Sequence, residues 1–363
     1  MCRGSCALTH TLGCNNILPH VGVWLCPVYC KGCGRPREQT GRWQAPRLLY
    51  VGIKQKFYTV IGCFGRYSVF HMVSFIILNF KNGDLTHQCI ASIKKTVKSG
   101  YEIIVVDNNS SQKEFDLLQK DIPKEVCLIR SKTNGGFGAG NMLGANFAKG
   151  DFLCFLNNDV VLTEDCVTPL CAYLTENPKV GCIIPQQYNG QNTLVPSFNH
   201  LNGIRQEIFK NKICEKLFPK KYPNRYHLTV PTIVGRIEGC FMLFPSNVFW
   251  NIGGFDTNIF LYCEEWDIAC RLHSHGYSCV VHPLYRFTHL GGASTHKTTK
   301  SGMLYREMYI SRLYVYRKHH NLFMSWIYCS IKALKILINP RRWYLLPIAL
   351  GGEALSLSMK HKV

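Results

Sequence analysis

The sequence predicts an α/β fold in which a mostly parallel sheet has helices on both faces. Three observations carry this prediction. Between residues 72 and 185, apolar runs of strand length alternate with helical segments, an order that is typical of parallel sheets. The runs are nearly continuous in hydrophobic residues, as expected of strands that are buried on both faces. Two of them lead into an aspartate, Asp107 and Asp159, beside small polar turn formers.

The predicted elements follow one another with short connections. Residues 85–98 are amphipathic, with apolar side chains at helical spacing, and Ser110 or Ser111 is the expected N-cap of the next helix. In chain order, the predicted elements are strand 73–80, helix 85–98, strand 102–107, helix 111–120, strand 126–130, helix 142–148 and strand 152–157.

The chain of 363 residues carries 42 Lys and Arg against 22 Asp and Glu, a formal net charge of +20. This balance favours anionic partners, namely nucleic acid, phospholipid headgroups or phosphorylated substrates; charge that serves only solubility is the alternative. Several of the 19 cysteines lie inside apolar runs, where free cysteine behaves as a small hydrophobic residue. Because the first 30 residues also lack the apolar core and cleavage site of a secretory signal, we expect a reducing, cytoplasmic location.

The first 71 residues differ in composition from the rest. They contain nine Lys and Arg, a single acid and seven cysteines, without a sustained helical or strand period. The spacing at residues 26–33 could suggest zinc, but the paired Cys/His set that such sites need does not follow. We therefore expect a poorly organised extension at 1–71, with a targeting segment and a stretch foreign to the native protein as alternatives. A catalytic domain at 72–321 and a C-terminal tail at 322–363 are the other predicted regions.

Polar side chains at the ends of two predicted strands indicate a nucleotide site. In open α/β sheets, ligands bind outside the carboxyl ends of the strands, where Asp107 can accept hydrogen bonds from a ribose hydroxyl or a base edge. Asn157, Asn158 and Asp159 follow the later strand and offer the oxygen ligands that hard divalent cations prefer. The same three residues also make an ordinary turn, so their position after a buried strand is what favours a metal.

A glycine-rich segment, residues 134–141, lies between these strand ends. Its glycines would let backbone N–H groups approach a ligand, and the N-terminus of the following helix favours an anion. The segment follows the third strand and lacks the spacing of the dinucleotide-binding fingerprint, which disfavours that class of site. A plain loop is the alternative.

The order of these motifs resembles that of family 2 glycosyltransferases, and within that family it is most similar to rhamnosyltransferase-like enzymes of bacterial surface polysaccharide synthesis. The resemblance runs from about residue 72 to about residue 321. The downstream segments that fit the family pattern are residues 238–243, 253–256, 264–271 and 289–292. The fuller pattern has aspartate where Asn157 stands, a departure that would weaken metal binding.

The resemblance implies a GT-A fold and inverting transfer of a sugar. The donor would be a nucleotide sugar of the dTDP-rhamnose or UDP-sugar type, the acceptor a glycan or a lipid-linked molecule, and nucleic acid would not be a partner. Mg²⁺ or Mn²⁺ would bridge the diphosphate at Asp159 and His289. The implied nucleotide-sugar-binding residues are Asp107, Asn109, Asn134, Gly136, Gly138, Asn141 and Asn158, and the implied acceptor-side residues are Gly239, Cys240 and Glu264.

An inverting transfer needs a base that takes the proton of the acceptor hydroxyl. Glu265 is the first candidate and Asp267 the second, because both lie in an acidic cluster that matches the family pattern. Clustered carboxylates raise one another's pKa, which suits a base that works near neutral pH. An acidic first turn that only complements the helix dipole is the alternative.

The C-terminal region mixes aromatic, basic and apolar residues. Residues 323–338 are strongly apolar but contain Lys332 and Lys335, and the run is short for a bilayer span of about 20 residues. Arg341 and Arg342 follow, with a second apolar run behind them. This pattern fits an amphipathic element in peripheral contact with the inner face of the cell membrane; a helix that caps the catalytic domain is the alternative.

Two other function classes stay open at the level of sequence. A basic nucleic-acid-binding protein with a cysteine-rich finger would explain the net charge, but not the strand-end acids, which repel phosphate in the absence of a metal. An inactive nucleotide-sugar-binding relative would explain the departures at acidic positions. Turnover of a nucleotide sugar with added Mg²⁺ separates the enzyme from both.

Overall fold

A computed structural model describes residues 72–98, 100–201, 203–291, 301–350, 355 and 358–361. The predictions for residues 1–71, including the zinc spacing at 26–33, lie outside the described residues. Within the described part, the predicted α/β architecture is confirmed: a central sheet, mostly parallel in its first half, carries helices and is followed by further helices at the C-terminus.

The strands are β1 Val73–Asn79, β2 Tyr101–Asp107, β3 Cys127–Arg130, β4 Phe152–Asn157, β5 Val160–Val161, β6 Val180–Tyr188, β7 Phe198–Asn199, β8 Thr232–Val234, β9 Arg236–Ile237, β10 Phe241–Pro245 and β11 Ser278–His289. The helices are α1 Gly83–Thr96, α2 Gln112–Asp121, α3 Gly136–Ala145, α4 Val167–Glu176, α5 Ile204–Leu217, α6 Ser246–Asn251, α7 Glu264–Ser274, α8 Ser301–His319, α9 Leu322–Leu337 and α10 Leu346–Leu350, with 3₁₀ turns at Pro340–Leu345 and Met359–His361.

The main sheet has the order β3-β2-β1-β4-β10-β6-β11-β5, and β8 pairs with β11. The first four strands are parallel, whereas β10 runs antiparallel between β4 and β6. The register sets Asn79 opposite Asp107 and Leu78 opposite Asn157. Because parallel strands end at the same edge of a sheet, the polar residues that follow β1, β2 and β4 are brought together there. A separate two-stranded sheet joins β7 and β9.

Local sequence explains several of these boundaries. Strand β4 has the predicted bounds, and α2 begins with a capping box in which Ser111 and Glu114 satisfy each other's backbone N–H groups. The prediction for α3 was wrong, because the helix begins at Gly136 and not at residue 142. Because glycine has a low helix propensity, the sequence pattern did not indicate this first turn. A methyl group at Gly140 would lie 2.3 Å from Leu78 Cδ1. The glycines therefore belong to this helix because they allow close packing on the sheet, and not because of their helix propensity.

Two apolar clusters hold the described residues together. The larger one fills both sides of the main sheet. The second joins α7, α8, α9 and α10, and in it Tyr316 stacks between Tyr328 and His320, with ring centroids 3.8 Å and 3.9 Å apart. The boundary predicted at residue 321 therefore falls between two helices that share one cluster. No helix among the described residues is long and apolar enough to cross a membrane.

Candidate active site

Asp107 stands at the end of β2 and is fully buried. Its Oδ1 accepts hydrogen bonds from Asn79 Nδ2 at 2.9 Å and from Ser110 Oγ at 2.6 Å, and its Oδ2 accepts one from the Ser110 backbone N–H at 3.0 Å. Arg130 Nε lies 3.8 Å from Oδ2. The Asp107 carboxylate thus fixes the turn after β2. The predicted contact with a nucleoside would be a further hydrogen bond to the same carboxylate.

The turn after β2 is tied to the glycine-rich segment by Asn108. Its Nδ2 donates to Asn134 Oδ1 at 2.9 Å and to the Gly136 carbonyl at 3.0 Å. Asn109 adopts a left-handed conformation with φ 63°, which asparagine tolerates better than most residues. The structure therefore brings together Asp107, Asn109 and Asn134, three of the predicted nucleotide-sugar residues.

The glycines of α3 have a packing role that the sequence interpretation did not include. Gly136 has φ +85°, and a Cβ there would lie 1.9 Å from the Phe260 carbonyl oxygen. The same carbonyl accepts a hydrogen bond from Phe137 N–H at 2.8 Å, and a Cβ at Gly138 would lie 3.2 Å from the Asp256 carbonyl oxygen. These glycines hold α3 against the chain at 256–260; their contact with a nucleotide stays a prediction.

The two other predicted donor-side asparagines are both buried. Asn158 Nδ2 lies 3.2 Å from the Asn82 carbonyl and from Thr86 Oγ1, so this side chain ties the end of β4 to the start of α1. Asn141 Nδ2 donates to the Phe137 carbonyl at 3.1 Å, while its Oδ1 has no hydrogen-bond partner among the described residues. Burial of a hydrogen-bond acceptor without a donor costs free energy. Asn141 Oδ1 is therefore more available to a ligand than the Asn158 side chain is.

Asp159 and His289, the predicted metal ligands, are direct neighbours. His289 Nε2 lies 3.0 Å from Asp159 Oδ1, and its Nδ1 lies 3.2 Å from Gln187 Nε2. Pairing of β5 with β11 creates this contact, because His289 stands opposite Val160. Burial alone would lower the pKa of His289, but neighbouring Cys240 and the Asp159 carboxylate raise it above its usual value.

These two side chains fit a divalent cation. One carboxylate oxygen and one imidazole nitrogen share a site at the carboxyl edge of the sheet, and Gln187 Nε2 lies 3.2 Å from the far nitrogen of the imidazole. No group of three His, Cys, Asp or Glu side chains in the described ranges is arranged to hold a metal ion. Two protein ligands are enough for Mg²⁺ or Mn²⁺ where substrate phosphates complete the shell.

The acidic cluster forms the first turn of α7. Tyr262 and Cys263 immediately before it both have left-handed conformations, with φ 71° and 69°. This unusual pair turns the chain sharply and places Glu264, Glu265 and Asp267 at the helix N-terminus, where the dipole favours negative charge. The three carboxyls nevertheless have different surroundings.

Glu265 is the carboxylate that lies beside the predicted acceptor-side segment. It forms an ion pair with Arg236, and its side chain keeps 15% of its surface exposed. A Cβ at Gly239 would lie 4.0 Å from Glu265 Oε2. The ion pair orients the carboxylate toward Gly239 while leaving it within reach of a ligand.

Glu264, in contrast, points into the protein. Its side chain is 5% exposed, and its Oε1 has no hydrogen-bond partner among the described residues. Burial, together with the charge of Glu265, raises the pKa of Glu264 well above its usual value. The mutual effect expected within the acidic cluster therefore falls on Glu264, whose surroundings favour the neutral form of the carboxyl.

Asp267, the second candidate base, is fully buried and held by cations. Arg271 Nη2 lies 2.6 Å from its Oδ2, whereas His319 Nε2 and Lys318 Nζ lie 2.7 Å and 2.8 Å from its Oδ1. Burial alone would raise the pKa of Asp267, but these partners hold it far below its usual value. Such a carboxylate is a weak proton acceptor, so the geometry favours a role in joining α7 to α8.

Three side chains that the sequence interpretation missed complete the site. Asn79 and Asn108 fix the strand-end turns, and Arg236 orients Glu265. Asn79 follows an apolar run just as Asp107 does, so the strand-end rule could have found it. Arg236 meets Glu265 across 29 residues of sequence, and no local pattern signals that contact.

The sequence model of glycosyl transferase family 2 matches residues 74–251. Rhamnosyltransferase WbbL of Escherichia coli is 25% identical over 241 residues, which cover 60% of this chain and 83% of that protein. Polypeptide N-acetylgalactosaminyltransferase 11 of Xenopus tropicalis is 39% identical over 84 residues, but the match covers 22% of this chain and 14% of the frog protein.

Among solved structures, GalNAc-T7 with UDP, GalNAc and Mn²⁺ is similar, with a TM-score of 0.54 and 17% identity. That similarity covers 80% of this chain and 58% of the GalNAc-T7 chain, so this chain spans little more than half of it. At this level of identity the likeness shows the fold, and the predicted GT-A fold is confirmed.

Proposed function

Residues 74–251 are a family 2 glycosyltransferase domain, and from this premise we propose that the chain transfers a sugar from a nucleotide-sugar donor to an acceptor hydroxyl with inversion. One observation carries the proposal: the predicted metal pair and the predicted base flank the same short segment, Gly239 and Cys240. Gly239 faces Glu265, and Cys240 Sγ lies 3.5 Å from Gln187 Oε1, next to His289. A donor diphosphate at His289 would therefore bring its sugar toward Glu265.

Each residue has a separate task in this transfer. Glu265 takes the proton of the acceptor hydroxyl while the hydroxyl oxygen bonds to the anomeric carbon of the donor sugar. At the same time, the bond between that carbon and the diphosphate breaks. Asp107 and Asn109 bind the nucleoside, with Asn134, Asn141 and the start of α3 beside them. Asp159 and His289 would hold a divalent cation, Mg²⁺ or Mn²⁺, and such a cation would supply positive charge to the departing diphosphate.

The donor is proposed to be of the dTDP-rhamnose or UDP-sugar type. WbbL is by its name a rhamnosyltransferase, and GalNAc-T7 was solved with UDP, GalNAc and Mn²⁺. A glycan or lipid-linked acceptor of a surface polysaccharide belongs to the same proposal, because the motif order resembles that of rhamnosyltransferase-like enzymes.

A screen of nucleotide sugars by thermal shift tests the proposal. We expect one donor class to raise the melting temperature by several degrees in Mn²⁺, because tight binding at about 100 times Kd stabilises a protein by about 2.7 kcal/mol. The same donor should release nucleoside diphosphate when an acceptor is added. Binding without turnover would identify the inactive relative, and no shift with any donor would refute the proposed function.

We also propose that α9 and the turn after it contact a membrane surface. The outer face of α9 exposes Leu322, Phe323 and Trp326, at 91%, 68% and 68%. Arg341 and Arg342 lie beside the exposed Trp343 and Tyr344 in the following turn. Aromatic side chains next to arginines suit the boundary of an anionic bilayer, and such contact would keep the enzyme at the inner face of the cell membrane.

Vesicle co-sedimentation of the full chain tests this contact. The double change Phe323→Ser and Trp326→Ser should lower the affinity for anionic vesicles by about tenfold or more, because burial of each side chain in the interface contributes about 2 kcal/mol. Leu284→Ser, on β11 and 70% exposed, is the matched control and should not change binding. Equal partitioning of the double variant and the control would refute the contact. Deletion of α9 is less suitable, because Tyr328 and Ile336 belong to the apolar cluster.

A further inference from the structure

Glu238 is a carboxyl group beside the candidate active site to which the proposed transfer gives no task. It follows β9 directly, and its backbone N–H donates to the Ser197 carbonyl at 2.9 Å. Ser197 Oγ in turn accepts a hydrogen bond from the Gln187 backbone N–H at 2.7 Å, so β6 holds the backbone of Glu238 in place. The Glu238 side chain is half-buried and forms no hydrogen bond or ion pair with the described residues. Its carboxyl is therefore available to a ligand.

The direction of this side chain follows from the alternation of side chains along an extended segment. Ile237 is 2% exposed and belongs to the larger apolar cluster, so it points into the core. Its two neighbours along the chain, Arg236 and Glu238, therefore point to the opposite side. Arg236 forms its ion pair with Glu265 on that side. Glu238 thus shares a face of the chain with the partner of the candidate base.

The residues that follow Glu238 run from the candidate base to the predicted metal pair. A Cβ at Gly239, the next residue, would lie 4.0 Å from Glu265 Oε2. One residue further, Cys240 Sγ lies 3.5 Å from Gln187 Oε1, and Gln187 Nε2 lies 3.2 Å from the imidazole of the metal pair. Glu238 therefore begins a segment that has the base on one side and the metal pair on the other.

Electrostatic interactions agree with this position. Burial raises the pKa of the Glu238 carboxyl above its usual value; the charges of Arg236 and His289 oppose the rise, and that of Glu265 adds to it. Because such interactions weaken with distance, the carboxyl lies near the base and the metal pair alike. The transferred sugar must occupy the same interval, since its anomeric carbon is bonded to the diphosphate and is attacked by the acceptor hydroxyl.

We propose that Glu238 is a specificity-determining residue whose carboxyl oxygens accept hydrogen bonds from hydroxyl groups of the transferred sugar. Each oxygen of a carboxyl group can accept a hydrogen bond, and neighbouring sugar hydroxyls can donate to both. A site that binds a hydroxyl in this way rejects a sugar that lacks it, because the polar group of the protein is then left without a partner. This inference rests on the proposed function and names a determinant of the donor sugar at the same site.

Calorimetric titration of the full chain in Mn²⁺ tests the inference, with UDP-GalNAc and dTDP-rhamnose as donors and with UDP and dTDP as the matching nucleotides. Glu238→Ala should weaken binding of the nucleotide sugar by about tenfold or more and leave the nucleotide within about twofold, because a hydrogen bond to a charged group is lost only at the sugar. Glu238→Gln keeps one acceptor oxygen and should lie between the two. The melting temperature without ligand should not fall, since the side chain has no hydrogen bond to lose.

Glu176→Ala is the matched control. It removes an exposed carboxylate of α4 that forms no hydrogen bond or ion pair with the described residues, and it should bind both ligands as the native chain does. Deoxy analogues of the bound donor identify the contacted hydroxyl. The analogue that lacks this hydroxyl should bind the native chain and Glu238→Ala equally, because the interaction is already absent.

Two results would overturn the inference. Equal weakening of the nucleotide sugar and of the nucleotide would show that Glu238 acts on the nucleotide, the cation or the fold. Unchanged binding of the nucleotide sugar would exclude a contact with the sugar, and a large loss of transfer beside it would make Glu238 the proton acceptor in place of Glu265. Failure of the proposed function looks different: the native chain would then bind neither donor, and the inference would fail with it before any variant is compared.

Discussion

Replacement of Glu265 by glutamine is expected to lower the rate of sugar transfer by about a thousandfold, within the range that a general base contributes. Glutamine keeps the size of the side chain and can still accept a hydrogen bond from Arg236, but it cannot take the proton of the acceptor hydroxyl. Donor binding should survive, because the strand-end turns and the Asp159–His289 pair do not contact Glu265. The measurement is single-turnover transfer, with nucleotide-sugar binding followed by thermal shift.

Glu264→Gln is a stringent comparison, since it changes the neighbouring residue in the same way. Burial and the charge of Glu265 raise the pKa of the Glu264 carboxyl well above its usual value, so glutamine resembles the neutral form that these surroundings favour. We expect a loss of less than about tenfold, as for a change that removes no charge. If the two variants lose activity equally, the cluster acts through its packing and Glu265 is not the base.

Asp267→Asn tests whether the third carboxylate of the acidic cluster has a structural role. The change would leave Arg271, Lys318 and His319 around a neutral group, and the loss of a buried charged partner costs about 3–5 kcal/mol. The defect should therefore appear in thermal stability, and refolded protein should retain donor binding. The sequence could not separate these three acids, because which of them is paired, buried or reachable depends on Arg236 and on α8, neither of which is close in the chain.

Strands β1 to β4 could be predicted from the sequence because each is an apolar run that needs no partner to be recognised. Strand β4 has the bounds that its hydrophobic pattern gives, and Ser111 caps α2 as its local chemistry requires. The start of α3 could not be predicted in this way. Its glycines are disfavoured in an isolated helix, and only contact with Leu78 and Phe260 accounts for them. Tertiary packing, invisible in the local pattern, overrides propensity at that position.

The second large effect concerns the metal pair. Asp159→Asn and His289→Ala should each abolish the extra stabilisation that Mn²⁺ gives to the complex with a nucleoside diphosphate. Transfer activity should fall by at least about a hundredfold, the upper end of what loss of an outer-shell partner costs. The reason is that no third His, Cys, Asp or Glu side chain of the described residues joins these two in a metal-holding group, so the loss of either would leave the cation to the substrate phosphates and one ligand. Thermal shift with and without Mn²⁺ measures the effect.

Two comparisons make that result specific. Asp116→Asn removes an exposed carboxylate of α2 whose hydrogen bond is with Gln112 and not with Asp159 or His289, and it should retain the full response to Mn²⁺. The native chain with a chelator should behave as the Asp159→Asn variant does without one, because both remove the same cation. A response to Mn²⁺ that persists in Asp159→Asn would place the cation elsewhere. The contact between Asp159 and His289 would then be an internal ion pair that joins β5 to β11, and the charge on the departing diphosphate would have to be met by basic side chains alone.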